Sequence, residues 1–423
     1  MCTKEVYDNY VEILNDELVP ALGCTEPIAI AYAAAKAKAI LGRDPKRVEV
    51  WCSGNIIKNV KGVTVPNTGN LKGINAAAIA GIVGGNPEMG LQVLEHISDE
   101  DINTIKKLLN EEFSKTCFAE AVDKLYISAK VFADNESAEV CIKKSHTNIC
   151  MMKKNDVVIF EKNDNNDEKA IGGDRELLNI KNILEFANIV KLEDINQLIS
   201  NQICMNTAIS DEGLKNHYGV DVGKTLLKYY GNDIKVRAKA RAAAGSDARM
   251  SGCSMPVIIN SGSGNQGMTV SLPVIEYAKE LGVSKEKLYR ALVVSNLTAI
   301  HQKTAIGKLS AYCGAVSAAC GSGAGITYLH GGNYEDISRT IINTIANIGG
   351  IVCDGAKPSC AAKIASAVDA AIMAHYMSAQ NNVFQSGEGL VKNNVENTIK
   401  SIGRMGNQGM KGTDVEILKI MTS

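Results

Sequence analysis

The sequence is poor in aromatic residues, which make up 5% of its 423 positions and include a single Trp. It has no long basic tract and a formal net charge of -1, so we expect no nucleic-acid partner. No run of about 18 apolar residues occurs, so no membrane span is predicted. The N-terminal segment is polar and lacks the apolar core of a secretory signal peptide, and the predicted location is the cytoplasm.

The twelve cysteines do not show the paired CxxC spacing that is typical of zinc sites. Disulfides are uncommon in a reducing compartment, so most of these cysteines are predicted to be buried side chains. Glycine, by contrast, is abundant at 38 residues. Many glycines with few aromatic residues favour close helix packing and pockets lined by backbone over stacking surfaces for bases or sugars.

The pattern of apolar residues predicts an α+β protein. A chain of 423 residues is too long for one ordinary hydrophobic core, so two domains are expected. A first helix is predicted over 4–17 and a strand over 47–52. The segments 125–131, 138–142 and 157–160 fit a small antiparallel sheet in the same half. The predicted division is an α+β domain over residues 1–190 and an all-helical domain over 191–423.

Glycine and proline interrupt residues 55–74, which are therefore predicted to form a loop region. The amides around 55–59 fit a solvated loop as well as they fit a substrate pocket. His301 and Lys303 precede a Gly/Ala-rich stretch further along the chain. A lone His is more often a structural residue than a base.

Three cysteines near the C-terminal end lie in two stretches of small residues. Cys313 begins Cys-Gly-Ala-Val-Ser-Ala-Ala-Cys-Gly, whereas Cys353 and Cys360 bracket Asp-Gly-Ala-Lys-Pro-Ser. Small neighbours let a bulky group approach the backbone. Three thiolates on such turns could hold an iron–sulfur cluster with one iron free of protein ligands, and zinc binding or a redox role are the alternatives from the residues alone.

The motif Gly-Cys-Thr-Glu-Pro places Cys24 just before a predicted helix. The field at a helix start lowers the pKa of a thiol, so Cys24 could serve as a base, a nucleophile or a ligand. The alternative is that Thr25 or Glu26 caps the helix and that Cys24 only fills space.

A second glycine-rich loop precedes a helix that is predicted to begin near Met268. Backbone N–H groups at a helix start bind carboxylate or phosphate, and the loop matches neither a Walker loop nor a dinucleotide fingerprint. A tight turn without a ligand is the alternative. The candidate substrate-binding residues of this loop are Asn260, Ser261, Gly262, Ser263, Gly264, Asn265 and Gln266.

Taken in order, these motifs resemble the L-cysteine desulfidase family, whose helical half is related to the iron–sulfur L-serine dehydratase alpha chain. The likeness spans nearly the whole chain. It implies a [4Fe–4S] cluster held by Cys313, Cys353 and Cys360, with Cys320 as the rival for the first position. It also implies that Cys24 is the catalytic base, where serine dehydratases have a His-Thr loop, and that the second glycine-rich loop faces the substrate.

The activity that this resemblance implies is β-elimination of L-cysteine to pyruvate, hydrogen sulfide and ammonia, without pyridoxal phosphate. The substrate sulfur would bind the iron that lacks a protein ligand, and the protein would be a homodimer. One alternative is dehydration of L-serine or another 3-substituted amino acid by the same cluster. Others are a non-catalytic cluster-based sensor and, more distantly, a zinc-stabilised structural protein.

Overall fold

Helices dominate the computed structural model, which describes residues 3–162, 173–307 and 309–422. No helix in these ranges is both long and apolar enough to span a membrane. The α-helices are α1 (Lys4–Glu17), α2 (Thr25–Leu41), α3 (Gly54–Val60), α4 (Gly73–Gly84), α5 (Asp99–Asn110), α6 (Ile180–Ile189), α7 (Leu192–Lys215), α8 (Val222–Tyr230), α9 (Ile234–Met250), α10 (Gly264–Leu281), α11 (Lys285–Ile306), α12 (Gly314–Leu329), α13 (Tyr334–Ile348), α14 (Cys360–Ala379), α15 (Val395–Arg404) and α16 (Lys411–Thr422). The strands are β1 (Pro20–Leu22), β2 (Arg47–Cys52), β3 (Ser114–Phe118), β4 (Tyr126–Ala133), β5 (Glu136–Lys143), β6 (Ile149–Lys154), β7 (Val157–Glu161) and β8 (Pro256–Ile258).

The larger sheet has six strands in the order β3-β2-β4-β5-β6-β7 and is covered by α2, which packs on β4 and β5. All neighbours pair antiparallel except β2 and β3, which are parallel. A parallel pair needs a crossover connection, and α3, α4 and α5 supply it. This one pair distinguishes the sheet from the purely antiparallel one that the sequence pattern predicts.

A second, two-stranded sheet joins the two halves of the chain. Strand β1 pairs antiparallel with β8, with Pro20 opposite Ile258 and Leu22 opposite Pro256. The pairing places the segment after β1 beside the segment after β8, although more than 200 residues separate them in sequence. Strand β8 is a short exception to the all-helical pattern predicted after residue 190. The predicted α+β class is confirmed, and the division at residue 190 stays a prediction.

The loop predicted over residues 55–74 is wrong in part, because helix α3 occupies its beginning and α4 starts near its end. Ile56 and Val60 are fully buried in α3. Apolar side chains four residues apart lie on one face of a helix, and their burial outweighs the low helix propensity of glycine and asparagine. The glycine and proline residues between α3 and α4 form the shorter connection that remains.

Candidate functional site

A cavity of about 110 Å³ lies where the N-terminal ends of α2, α10, α12 and α14 meet. Cys24, Ser263 and Cys313 each immediately precede one of the first three helices, and Cys360 is the first residue of α14. All four residues line the cavity. Each helix start carries partial positive charge and free backbone N–H groups. The cavity is therefore suited to an anionic ligand.

Backbone pairing brings the two cysteine-bearing stretches together. The N–H of Cys313 donates to the carbonyl of Ile351 over 3.0 Å, and the N–H of Cys353 donates to the carbonyl of Ala311 over 2.6 Å. The two segments thus run side by side in opposite directions, although nearly forty residues separate them. Cys313 and Cys353 consequently line the same wall of the cavity.

A tight turn carries the chain from Cys353 to Cys360. Gly355 adopts a left-handed conformation with φ of +94°, and a Cβ atom there would lie 2.5 Å from the carbonyl oxygen of Lys58. Only glycine fits this close approach. The turn leaves the Cys360 thiol 3.7 Å from the Gly355 carbonyl oxygen, to which it donates.

The three thiols interact with one another across the cavity. Burial raises the pKa of Cys313 to about 12, and the nearby sulfur of Cys353 adds to the effect. Burial likewise raises the pKa of Cys360, with a further contribution from Cys353. The thiols of Cys313 and Cys360 are therefore costly to ionise in the protein alone, and a bound cation would favour their thiolates.

The three cysteines have the donor chemistry of an iron–sulfur site, because thiolates hold such clusters and all three residues line one cavity. Within the described ranges, no three His, Cys, Asp or Glu side chains converge closely enough to hold one metal ion. The rival residue, Cys320, is fully buried inside α12 and does not line the cavity.

The protonation state of the Cys24 thiol differs from the one that the sequence predicts. Its Sγ donates to Oε2 of Glu26 over 3.0 Å, and the residue is 2% exposed. Burial and then the Glu26 charge raise the pKa of Cys24 well above its usual range, and Arg249 opposes this only in part. The lowered pKa predicted from the helix start is therefore wrong, because desolvation exceeds the effect of the helix field.

Glu26 is a buried carboxylate surrounded by donors. Oε2 accepts from Thr25 Oγ1 at 3.2 Å as well as from Cys24, and Oε1 accepts from Asn59 Nδ2 at 2.9 Å. Nε2 of His146 lies 3.8 Å from Oε1, too far for a hydrogen bond. Burial alone would raise the pKa of Glu26, but His146 and the Cys24 donor outweigh it and hold that pKa well below its usual range.

The pairing of β1 with β8 brings the second glycine-rich loop to Cys24. Thr25 Oγ1 donates to the carbonyl of Gly262 over 2.9 Å, which ties the two loops together. The cavity is lined by five of the seven candidate residues of that loop, namely Ser261, Gly262, Ser263, Asn265 and Gln266.

The other two candidates of the loop lie behind the cavity wall. Asn260 is fully buried, and its Nδ2 donates to Asn296 Oδ1 at 3.0 Å. Gly264 begins α10, four residues before the predicted start, because Ser263 already has the extended conformation of a helix N-cap. The substrate-binding role of the loop stays a prediction.

Sequence reasoning missed two residues that line the cavity, Arg249 on α9 and His146 in the connection between β5 and β6. Each stands alone in its local sequence, and the only available signal for Arg249 is a charge within an alanine-rich helix. Lys303 does line the cavity, where burial lowers its pKa to about 8 against the opposing influence of Cys353 and Cys313. His301 instead pairs with Glu396 at 2.7 Å and does not line the cavity, as expected of a structural histidine.

Comparison with known proteins adds the family. The profile of the serine dehydratase alpha chain family matches residues 88–419. The chain belongs to the serine dehydratase alpha chain family. The matched part of this family member contains Arg249, the second glycine-rich loop and all three candidate cluster cysteines, whereas Cys24 precedes it.

Relatives that align over almost their whole length occur in several bacteria. A UPF0597 protein of Lachnoclostridium phytofermentans is 55% identical over 98% of this chain and 100% of its own length. UPF0597 proteins of Desulfitobacterium hafniense and Treponema denticola are 53% and 49% identical, covering 98% and 99% of this chain and 96% and 98% of their own lengths. Membership of the serine dehydratase alpha chain family makes this chain a lyase of the dehydratase type, in a family that depends in general on iron–sulfur chemistry.

Proposed function

We propose that this protein is an iron–sulfur L-cysteine desulfidase, which eliminates hydrogen sulfide from L-cysteine and yields pyruvate and ammonia. The observation that carries the proposal is that Cys24 lines the same cavity as Cys313, Cys353 and Cys360. Cys24, which would accept the α-proton, and the three thiolates, which would hold a metal cluster, could then act on the same small substrate.

The thiolates of Cys313, Cys353 and Cys360 would hold a [4Fe–4S] cluster, which when bound supplies a Lewis acid that stabilises the departing sulfur. Two lysines support the negative charge of this set. Lys303 interacts electrostatically with Cys353 and Cys313, and Lys363 does so with Cys313 and Cys360.

Cys24 and Glu26 would form a proton relay. Because the Cys24 thiol is protonated in the free site, it accepts the α-proton of the substrate only if its own proton leaves at the same time. Oε2 of Glu26, 3.0 Å from Sγ, takes that second proton only transiently, because the pKa of this carboxyl is held well below its usual range. The α-proton passes to Sγ, the thiol proton passes to Oε2, and the electron pair of the Cα–H bond forms the new double bond as the Cβ–S bond breaks.

The products of this step balance without a further cofactor. Sulfide leaves and is protonated to hydrogen sulfide, and the remaining aminoacrylate tautomerises to an imine that water hydrolyses to pyruvate and ammonia. The low exposure of Cys24 and Glu26, at 2% and 8%, keeps bulk water away from the relay. A dry site strengthens the electrostatic interactions that hold the proton.

L-Serine dehydration is the second candidate, and membership of the serine dehydratase alpha chain family favours it. The two functions separate when protein reconstituted with iron and sulfide under anaerobic conditions is assayed with L-cysteine and L-serine side by side. We expect pyruvate and sulfide from L-cysteine with a kcat/KM at least about 100-fold above that for L-serine, which corresponds to about 2.7 kcal/mol. The reverse preference would select the dehydratase, and an intact cluster without turnover of either amino acid would select a sensor.

A further inference from the structure

Arg249 is a buried charge with too few partners. It lies on α9, is 2% exposed and lines the cavity. A guanidinium group offers five N–H donors. Among the described residues, the Arg249 guanidinium makes one hydrogen bond, from Nη1 to Asn265 Oδ1 at 3.2 Å. Its buried Nε has no acceptor. Burying a charge in this way is costly unless an anion joins it.

The first turn of α10 lies against the same guanidinium group. A Cβ atom on Gly264 would lie 2.4 Å from Nε of Arg249, so the helix start and the side chain are in direct contact. Ser263 caps α10 without a side-chain hydrogen bond, and the N–H groups of this first turn need external acceptors. A buried guanidinium beside the N-terminus of an 18-residue helix is a site for a planar anion.

The surrounding charges select the kind of anion. Arg249 interacts electrostatically with Cys24, Glu26 and Cys360. The Glu26 carboxylate in the same cavity disfavours a multiply charged ligand such as phosphate, whereas it tolerates an amino acid whose ammonium group balances its carboxylate. Arg249, Cys24 and Cys360 line one cavity, so a small amino acid whose carboxylate binds Arg249 occupies the space that both thiols border.

We propose that Arg249 binds the α-carboxylate of the substrate and restricts the site to amino acids with a free carboxylate. The inference rests on the proposed function, and it adds the residue that recognises the α-carboxylate of the substrate. Arg249 touches the substrate without taking part in proton transfer, so its loss affects binding more than the chemical step.

The test compares L-cysteine with L-cysteine methyl ester in anaerobically reconstituted enzyme. A charge-assisted hydrogen bond contributes about 1.5–3 kcal/mol, so we expect the wild type to prefer L-cysteine by about 10–100-fold in kcat/KM. Arg249→Gln should raise KM for L-cysteine by a similar factor and leave the ester almost unaffected, so that the preference disappears. Arg249→Lys should keep part of it, because a lysine retains the charge but loses the two-pronged geometry.

Arg241→Gln is the matched control. It lies on the same helix about 12 Å from Arg249, forms ion pairs with Asp211 and Glu276, and does not line the cavity. The control should retain the preference for L-cysteine. Iron content and the cluster absorbance are measured for each protein, and they should be equal in the wild type and in all three variants.

A binding measurement separates this inference from the proposed function. L-Alanine has the carboxylate and the ammonium group but no leaving group, and its binding to the anaerobic holoenzyme is followed by calorimetry. We expect Arg249→Gln to weaken it at least 10-fold and Arg241→Gln to leave it unchanged. Failure of the wild type to release sulfide would refute the desulfidase proposal alone, whereas equal or absent binding of L-alanine in the wild type and in Arg249→Gln would refute the role of Arg249.

Discussion

The thiol of Cys24 donates to Oε2 of Glu26 over 3.0 Å, across the first turn of a buried helix. Burial of the sulfur and then the charge of the carboxylate raise the pKa of Cys24 and keep the proton on Sγ. Cys24 is consequently a thiol that needs Glu26 to take up its proton before it can act as a base. This relationship distinguishes the site from one in which a helix start alone generates a thiolate.

Replacing either member of this pair should abolish most of the turnover. Cys24→Ala and Glu26→Gln each remove one position of the relay, and general acid–base catalysis contributes about 10²–10⁴-fold. We expect kcat on L-cysteine to fall by about that factor while the iron content stays at the wild-type level. Cys204→Ala, an exposed thiol on α7, is the matched control and should remain fully active.

The absorbance spectrum of Cys24→Ala provides the contrary outcome. A resting cluster with altered absorbance would mean that Cys24 is a fourth ligand. An unchanged spectrum combined with wild-type turnover would mean that Cys24 has no catalytic part.

Single serine substitutions should separate the cluster ligands from the other cysteines. Cys313→Ser, Cys353→Ser and Cys360→Ser each replace a thiolate with a poor ligand for iron, and we expect loss of the visible cluster absorbance and of bound iron and sulfide. Cys320→Ser should keep both, because that residue is buried away from the cavity. Iron loss in Cys320→Ser with retention in Cys313→Ser would reverse the assignment of the first ligand.

The ion pair between Lys58 and Asp414 should be important for stability. Nζ of Lys58 lies 2.6 Å from Oδ1, and the two side chains are 2% and 13% exposed. Oδ2 of Asp414 accepts from the N–H of Ala311, and Nζ of Lys58 also donates to the carbonyl of Cys353, so the pair supports both cysteine-bearing stretches. Removing one partner of a buried pair costs about 3–5 kcal/mol.

Urea unfolding of Lys58→Met checks this expectation. The exposed pair of Lys107 with Glu111, at 3.9 Å, provides the control, because Lys107→Met should cost less than about 1 kcal/mol. Equal urea midpoints for Lys58→Met and Lys107→Met would contradict a structural role for the buried pair.

His375 should make stability depend on pH. Burial, followed by the neighbouring His330 ring, lowers the pKa of His375 to about 4 from 6.5. Between these values the unfolded chain binds more protons than the folded protein, so stability is complete above about pH 6.5 and falls as the pH decreases toward 4. The shift corresponds to about 3 kcal/mol.

His375→Gln keeps a polar partner for Thr327, which lies 3.0 Å from Nδ1, but it does not titrate. Unfolding free energies at pH 7.5 and 5 should therefore differ less for the variant than for the wild type. An identical pH dependence of the two proteins would show that His375 is not buried in its neutral form.

Local sequence patterns predicted the parts of this protein that depend on nearby residues. Helix α1 has the predicted bounds because its buried face recurs at helical spacing and Thr3 caps it. The cysteines near the C-terminal end can be singled out in the same way, because thiols among small residues form a local sequence pattern that indicates a site. The composition of residues 55–60 predicts a loop, because the burial that stabilises α3 depends on the tertiary structure.

The sequence by itself determined the α+β class and a set of cysteines that suits an iron–sulfur group. Only the tertiary structure decided that Arg249 and His146 share a cavity with them, because the β1–β8 pairing and the meeting of four helix ends bring together residues far apart in the chain. It also decided the protonation of Cys24. A pKa depends on how much water and which charges surround the group, and burial beside Glu26 outweighed the helix field that the local sequence predicts.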